Sequence, residues 1–443
     1  MDSASFHDDT NGLASVAMLS IFLGAIIAGM TIFFWIDPLS KDIAIGSLNK
    51  FRVPFIVREE PKWSDLSKSL KEFNQRVDTC LGALSLQLDA AKLREAIFGG
   101  QILSKSITER IETLSVILDS DSFVLATMLK RFALQQALPD QHGELGTGAQ
   151  IQEDALQNGH CDLPLQNECT PPPRYIDEND LSNPTSSYDS SMQVMAHIVR
   201  DWTVLGRGVR SSTYGWCQHQ LKTLHSSTIL VPGAGLGRLA FDLAQRGHSV
   251  EANELSIVMA AVTNSILNQQ MKGKIHPFSL DYFFNEVDHN LRKKAVYFPD
   301  VLIGSNTRGS LSFTLGEFVL TYAKSYNQYD AIITCFFIDT ASNIYDYLAV
   351  IYNALKDGGQ WINVGPLQWH SNAYLQPSVK ELKEMTKEMG FSIQKWSIDD
   401  NAMDYRMDDN SVQSTKFEGY RPLRVVAVKI QREKPYRIHK TKK

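Results

Sequence analysis

With 443 residues, 43% of them apolar, the chain is long enough to hold two or three domains around a sizeable core. Its 44 basic and 49 acidic side chains leave a net charge of −5 spread along the sequence, which argues against a nucleic-acid footprint. The five cysteines, Cys80, Cys161, Cys169, Cys217 and Cys335, are odd in number and lack metal-ligand spacing, so they read as reduced thiols and no metal site is expected.

In chain order, the first feature is Leu13 to Ile36, 24 residues without a charge. As a helix it spans roughly 36 Å, enough to cross a hydrocarbon core of about 30 Å. Asp2, Asp8 and Asp9 precede it where a cleaved signal would be basic, so residues 1–50 read as a membrane anchor with one transmembrane helix. Lys41, Lys50 and Arg52 follow the span and no Lys or Arg precedes it, which places the bulk of the chain in the cytosol. Residues 51–138 read as a helical region, with Leu66, Leu70, Phe73 and Val77 on one stripe, Ile107, Ile111, Leu114 and Ile117 on another, and Gly99-Gly100 as the break. It packs on the main domain or on a second subunit, as in a homodimer. Residues 139–190 are polar, proline-bearing and aperiodic, and read as a flexible connection. Helical patterning returns at Met192 to Trp202, where a catalytic unit of residues 191–430 begins; residues 431–443 form a basic tail.

Within that unit, STILVPGAGLGRLAFDLAQRGHSVEANELS at 227–256 reads as strand, glycine loop, helix and second strand. Gly233, Gly235 and Gly237 let backbone approach a ligand, and the helix start aims unpaired N–H groups into the loop. Glu254, seventeen residues after Gly237, is placed to accept hydrogen bonds from a ribose diol. This is the grammar of a site for an adenosine-carrying cofactor on a Rossmann-like α/β sheet. Arg238 and Leu239 stand where a dinucleotide fingerprint would carry its third glycine, which favours a methyl donor. Further on, Asp330 to Ile338 is a buried strand that delivers Asp339 to the carboxyl edge of the sheet, where ligands of open α/β sheets bind. Ile344 to Leu355 reads as a helix stopped by Asp357-Gly358-Gly359, Gln360 to Val364 as a strand, Pro377 to Met389 as a helix, and Ser392 to Ile398 and Leu423 to Ile430 as two final strands. Asp339 has a second reading, as the cap of the helix after its strand. Cys335, inside an apolar strand, reads as a small hydrophobe.

Several strings together resemble the carnosine N-methyltransferase family: Val199-Arg200-Asp201-Trp202, ILVPGAGLGRLA at 229–240, Asn253-Glu254, Phe298-Pro299-Asp300-Val301, TCFFIDTASNIYDY at 334–347 and INVGPLQWH at 362–370. The resemblance covers about Met192 to Ile430. It implies a seven-stranded class I methyltransferase sheet, S-adenosylmethionine as cofactor, and methylation of an imidazole nitrogen of carnosine or a related histidine dipeptide. It further implies cofactor contacts from His197, Arg200, Gly233, Gly235, Gly237, Glu254, Glu317, Phe318 and Cys335. Arg200 would meet the cofactor carboxylate, and Glu317 and Phe318 would sit by the adenine. His197 stands where the family tends to carry glutamine, and Glu317 where it usually has aspartate. Asp339, Tyr347, His370 and Tyr420 are the substrate residues it implies, with Asp339 and His370 catalytic. Two other readings keep the cofactor: a methyltransferase for another small amine or a protein histidine, and a membrane-tethered scaffold that binds the cofactor without turnover.

Overall fold

A computed structural model describes residues 51–58, 62–137, 190–280, 290–304, 307–405, 419–431 and 435–436. The apolar run Leu13 to Ile36, the connection 139–190 except Ser190, and most of the basic tail lie outside the described residues. Among the described residues no helix is long and apolar enough to cross a membrane.

A three-residue strand, β1 (Phe55–Val57), comes first, and two long helices follow, α1 (Ser64–Phe98) and α2 (Ile102–Ala137). Apolar residues three and four apart align on one side of each helix, so Leu66, Phe73, Cys80 and Leu84 of α1 are buried with Leu114, Leu118, Leu125 and Met128 of α2. Gly99 (φ +81°) turns the chain between them, and the Glu95 carboxylate accepts the N–H groups of Leu103 (2.8 Å) and Ser104 (3.0 Å) in the first turn of α2. Three helices lead into the sheet: α3 (Ser191–Trp202), α4 (Arg207–Ser212) and α5 (Tyr214–Gln220).

The chain then alternates β2 (Thr228–Pro232), α6 (Arg238–Gln245), β3 (Ser249–Glu254) and α7 (Ile257–Leu267). The short strands β4 (Gly273–Ile275) and β5 (Val296–Phe298) pair with each other outside the main sheet. Next come β6 (Ser310–Leu315), α8 (Phe318–Tyr322), β7 (Tyr329–Cys335), α9 (Ile344–Ala354), β8 (Leu355–Gly365), α10 (Val379–Glu388) and β9 (Phe391–Ile398). A ribbon of β10 (Met403–Asp404) and β11 (Gly419–Tyr420) precedes the last strand, β12 (Leu423–Lys429).

The main sheet runs β1-β6-β3-β2-β7-β8-β12-β9, parallel through β8 and antiparallel on both sides of β12. From β2 the strand order proceeds to β3 and β6 on one side and to β7 and β8 on the other, so the topological switch point lies between β2 and β7. Alternate residues leave opposite faces: Ile229, Val231 and Ile333 pack under α1, α2, α3, α6 and α7, while Leu230 and Ile332 pack under α8, α9 and α10. The inserted, reversed β12 is the mark of a class I methyltransferase sheet.

Two sequence expectations are corrected. The sheet has eight strands, because β1 adds in parallel to β6, with Phe55 stacked on Phe313 at 4.8 Å between ring centres. Asp357-Gly358-Gly359 does not lie between a helix and a strand but inside β8. Tyr329 pairs with Leu355 and Ala331 with Gln360, so residues 356–359 bulge from the ladder, with Gly358 at φ +77°.

Candidate active site at the switch point

β2 ends in the loop of Gly233, Gly235 and Gly237, all at positive φ (+63°, +55° and +74°). At two of them the space is also closed. A Cβ on Gly233 would stand 2.2 Å from the Phe337 ring, and one on Gly235 3.0 Å from His197 Nδ1. The loop is held from the neighbouring strand: Ala234 N–H donates to the Asn253 carbonyl (2.9 Å), and Gly235 N–H to Glu254 Oε2 (2.8 Å). The other oxygen of Glu254 accepts from Leu255 and Ser256 N–H at 2.8 and 2.9 Å. This carboxylate therefore both shapes the loop and stands at its rim, half-buried.

His197 and Arg200 face the loop from α3. The Arg200 guanidinium is buried and lies as a fork on its own neighbour, Nε to Asp201 Oδ1 (2.7 Å) and Nη2 to Oδ2 (3.0 Å). Burial opposes both charges, yet each secures the other, so Arg200 stays well above its ordinary value and Asp201 below it. Asp201 also accepts from the Tyr214 hydroxyl (2.7 Å). Arg200 donates to the Tyr405 hydroxyl, and its Nη2 lies 3.3 Å from His197 Nδ1. An arginine only donates, so Nδ1 of His197 accepts, which leaves Nε2 facing the Tyr405 hydroxyl at 3.2 Å. Beneath this layer Asp300 joins Arg238 (2.6 Å) and Arg210. Arg238, at the first position of α6, also donates to the Asp201 carbonyl (2.7 Å). The strings around Asp201 and Asp300 thus meet in one buried network that fixes the helix start behind the loop.

The opposite wall is built from the end of β7. Phe336 sits at φ +53°, a conformation that costs a side-chain-bearing residue about 1 to 3 kcal/mol. Its N–H donates to the Val364 carbonyl (2.9 Å) and its ring packs on Tyr405 (4.7 Å) and Tyr420 (6.1 Å). Phe337 turns the other way, over Gly233 and flat against Tyr347 (5.0 Å, 17° between planes). Asp339 follows in a single helical turn, 5% exposed. Its Oδ2 accepts from Gln368 N–H (2.9 Å) and its carbonyl from His370 N–H (3.2 Å), so the FFIDTA and GPLQWH strings are brought side by side. Burial raises the Asp339 carboxyl to about 6 against the pull of that N–H, and burial lowers His370. Asn343, not Asp339, caps α9: its side chain accepts from Tyr345 N–H at 3.1 Å.

The remaining residues divide. Tyr420 lies beside Phe336 and Tyr405, and Cys335, partly exposed at the end of β7, has its thiol raised by burial to about 12. Glu317 caps α8 through Leu320 N–H (2.6 Å). Phe318 is 3% exposed, edge-on to Phe337 and Tyr347, and Tyr347 is nearly as buried, so their rings act through this aromatic cluster. Tyr405 was not among the expected residues. A lone tyrosine in the bend just after a two-residue strand carries no periodic signal, and only its contacts with His197, Arg200 and Phe336 reveal it.

Strand order with the reversed β12 defines a Rossmann-like fold of the class I methyltransferase type, and the glycine loop with its rim carboxylate stands at its switch point. The chain belongs to the carnosine N-methyltransferase family, whose profile matches residues 178–423, more than half of the sequence. It is 33% identical over 238 residues to carnosine N-methyltransferase of Rattus norvegicus, covering 49% of this chain and 59% of that protein. It is 34% identical over 230 residues to the Schizosaccharomyces pombe protein of that name (45% and 61%), and 33% over 255 residues to "Carnosine N-methyltransferase unmet" of Drosophila melanogaster (51% and 55%). The matched part spans 55–61% of the length of these three relatives. The residues present fit S-adenosylmethionine, the cofactor of this class. The glycines hold φ values that side chains rarely adopt and so present bare backbone at the loop, and a half-buried carboxylate stands at its rim for a diol. The Arg200 fork expected for a cofactor carboxylate is instead closed on Asp201, which leaves Nη1, already donating to Tyr405, as the part of the guanidinium nearest to a ligand role.

Proposed function

We propose that this chain transfers a methyl group from S-adenosylmethionine to an imidazole nitrogen of carnosine or a related histidine dipeptide. The observation that carries the reading is Asp339: a buried carboxylate at the carboxyl end of β7, tethered by Gln368 N–H and adjacent to His370, at the edge of the sheet that also holds the glycine loop. The bound cofactor supplies an electrophilic methyl on a sulfonium; the chain must present a lone pair to it in line.

Neutral imidazole has one N–H and one bare nitrogen. The Asp339 oxygen opposite Oδ2 accepts that N–H, which fixes the tautomer and leaves the other nitrogen free to attack. As the C–N bond forms the methyl–sulfur bond breaks, the neutral thioether S-adenosylhomocysteine leaves, and the positive charge passes to the ring, where the same carboxylate would stabilise the imidazolium in a site where burial strengthens the interaction. After transfer the ring N–H proton is lost to solvent, so the carboxylate is not consumed. His370, held neutral by burial, orients the ring or the dipeptide, and Phe336, Tyr405 and Tyr420 supply an aromatic wall. The family membership and the relatives named for carnosine methylation support this acceptor over another small amine.

The test is transfer of labelled methyl from S-adenosylmethionine to carnosine, with histamine and a histidine-containing protein as competitors. Label on the carnosine imidazole is expected; label on only the protein histidine would replace the acceptor. We also propose that Leu13 to Ile36 anchors the chain in a membrane with its catalytic unit on the cytosolic side, supported by the 24 uncharged residues and the basic residues that follow them. Release of the full chain from membranes by carbonate would refute the anchor.

A further inference from the structure

Tyr420 reaches the site from β11 and Tyr405 from the residue just after β10; the β10–β11 ribbon is outside the main sheet and has only two residues in each strand. Two-residue pairing does not fix a ribbon; Arg200 and His197 hold the Tyr405 hydroxyl, and the base of the ribbon is held separately. At its base stands Arg424 of β12, 8% exposed. It lies as a fork on Asp399, Nε to Oδ1 and Nη2 to Oδ2, both at 2.6 Å. Its Nη1 donates to the Ser212 carbonyl (2.9 Å) at the end of α4, and the Ser212 hydroxyl points to Met403 Sδ of the ribbon (3.8 Å).

Asp399 lies just before the ribbon and Arg424 just after it. The same two ends are joined again by backbone: Asp399 N–H donates to the Pro422 carbonyl (3.1 Å), and Arg421 Nε donates to the Asp399 carbonyl (2.7 Å). On its other side the Arg424 guanidinium packs 5.2 Å from the Trp216 ring of α5, the helix whose Tyr214 holds Asp201. We infer that Arg424, acting through its fork on Asp399, is a positioning residue for the acceptor side of the site. It closes the base of the ribbon and so sets where Tyr420 stands, while Tyr405, just past β10, is held in addition by Arg200 and His197. A lysine keeps the charge but cannot make the fork, and an asparagine at 399 removes the charge that the fork grips.

This rests on the reading of Tyr420 as an acceptor-side residue, and the experiment separates the two. In Arg424→Lys and in Asp399→Asn, KM for carnosine rises about tenfold, the lower end for loss of a supporting contact. In the same variants kcat falls less than about threefold and S-adenosylmethionine Kd stays within about twofold, since the Arg200 fork on Asp201 and the Glu254-held loop keep their own hydrogen bonds. The double variant is no worse than the worse single, because one clamp cannot be lost twice. Unchanged KM, or cofactor Kd worsening in step with KM and Tm, overturns the inference. Lack of carnosine turnover by the wild type would refute the proposed function and not the clamp. Amide exchange with S-adenosylmethionine bound then decides: faster exchange confined to residues 399–405 and 419–424 in Arg424→Lys supports the clamp, and unchanged exchange there overturns it.

Discussion

Glu254 does two jobs with one carboxylate, and the geometry says how to separate them. Its removal takes the acceptor from Gly235 N–H and from two further amides. Hydrogen bonds to a charged group are worth about 1.5 to 3 kcal/mol, so Glu254→Ala should raise the S-adenosylmethionine Kd about 10- to 100-fold by calorimetry. An unchanged Kd would take Glu254 out of the site. Asp339 makes the opposite trade. Its folded value of about 6 lies above the ordinary 3.8, so unfolding releases protons between these values and stability falls as pH rises from about 4 to 6. Above pH 6 the penalty is complete, at most roughly 3 kcal/mol from a shift of about two units. Asp339→Asn should therefore melt higher than wild type at pH 8 and no higher at pH 3.5; a lower Tm at pH 8 would mean the carboxylate stabilises the fold. The placement of Glu254 and Asp339 at the carboxyl edge of the sheet was legible in the sequence, one from its distance to the glycines, the other from following a buried strand. The Arg200 fork on its own neighbour was not, because adjacent residues in a helix ordinarily do not face each other.

At the scale of elements, the two-helix arm is tied to the catalytic unit at a buried polar point. Asp121 of α2, fully buried, accepts from His276 N–H (3.1 Å) and lies 3.0 Å from His276 Nδ1, next to β4. Burial raises its carboxyl even as His276 pulls it down. Asp121→Ala leaves both donors without their acceptor and should lower stability by roughly 2 to 3 kcal/mol, measured by urea unfolding. A loss below about 0.5 kcal/mol, the level of an ordinary surface change, would make the contact incidental. The helices were readable from their stripes, since 35 and 36 residues repeat the pattern many times. β1 was not, being three residues whose pairing depends on Phe313 far along the chain. The bulge at 356–359 was misplaced for a related reason: Asp-Gly-Gly looks the same at a helix stop and at a bulge, and only the register with β7 tells them apart.

For the whole molecule, the parallel sheet, its reversal at β12 and the switch point bring the glycine loop and Asp339 to one edge of the sheet, so the residues proposed for cofactor and for acceptor end on the same side. A chain lacking residues 1–40 should be recovered without detergent and bind S-adenosylmethionine with wild-type Kd; failure of that chain to fold would assign the apolar run to the globular core. The most direct measurement compares wild type with Asp339→Asn in single-turnover methyl transfer to carnosine, alongside calorimetric binding of S-adenosylmethionine. Loss of a positioned charge at the reacting ring should slow transfer about 100-fold or more, while the cofactor Kd stays within about threefold because Asp339 is absent from the cofactor wall. Equal loss of both, or transfer at the wild-type rate, would contradict the account.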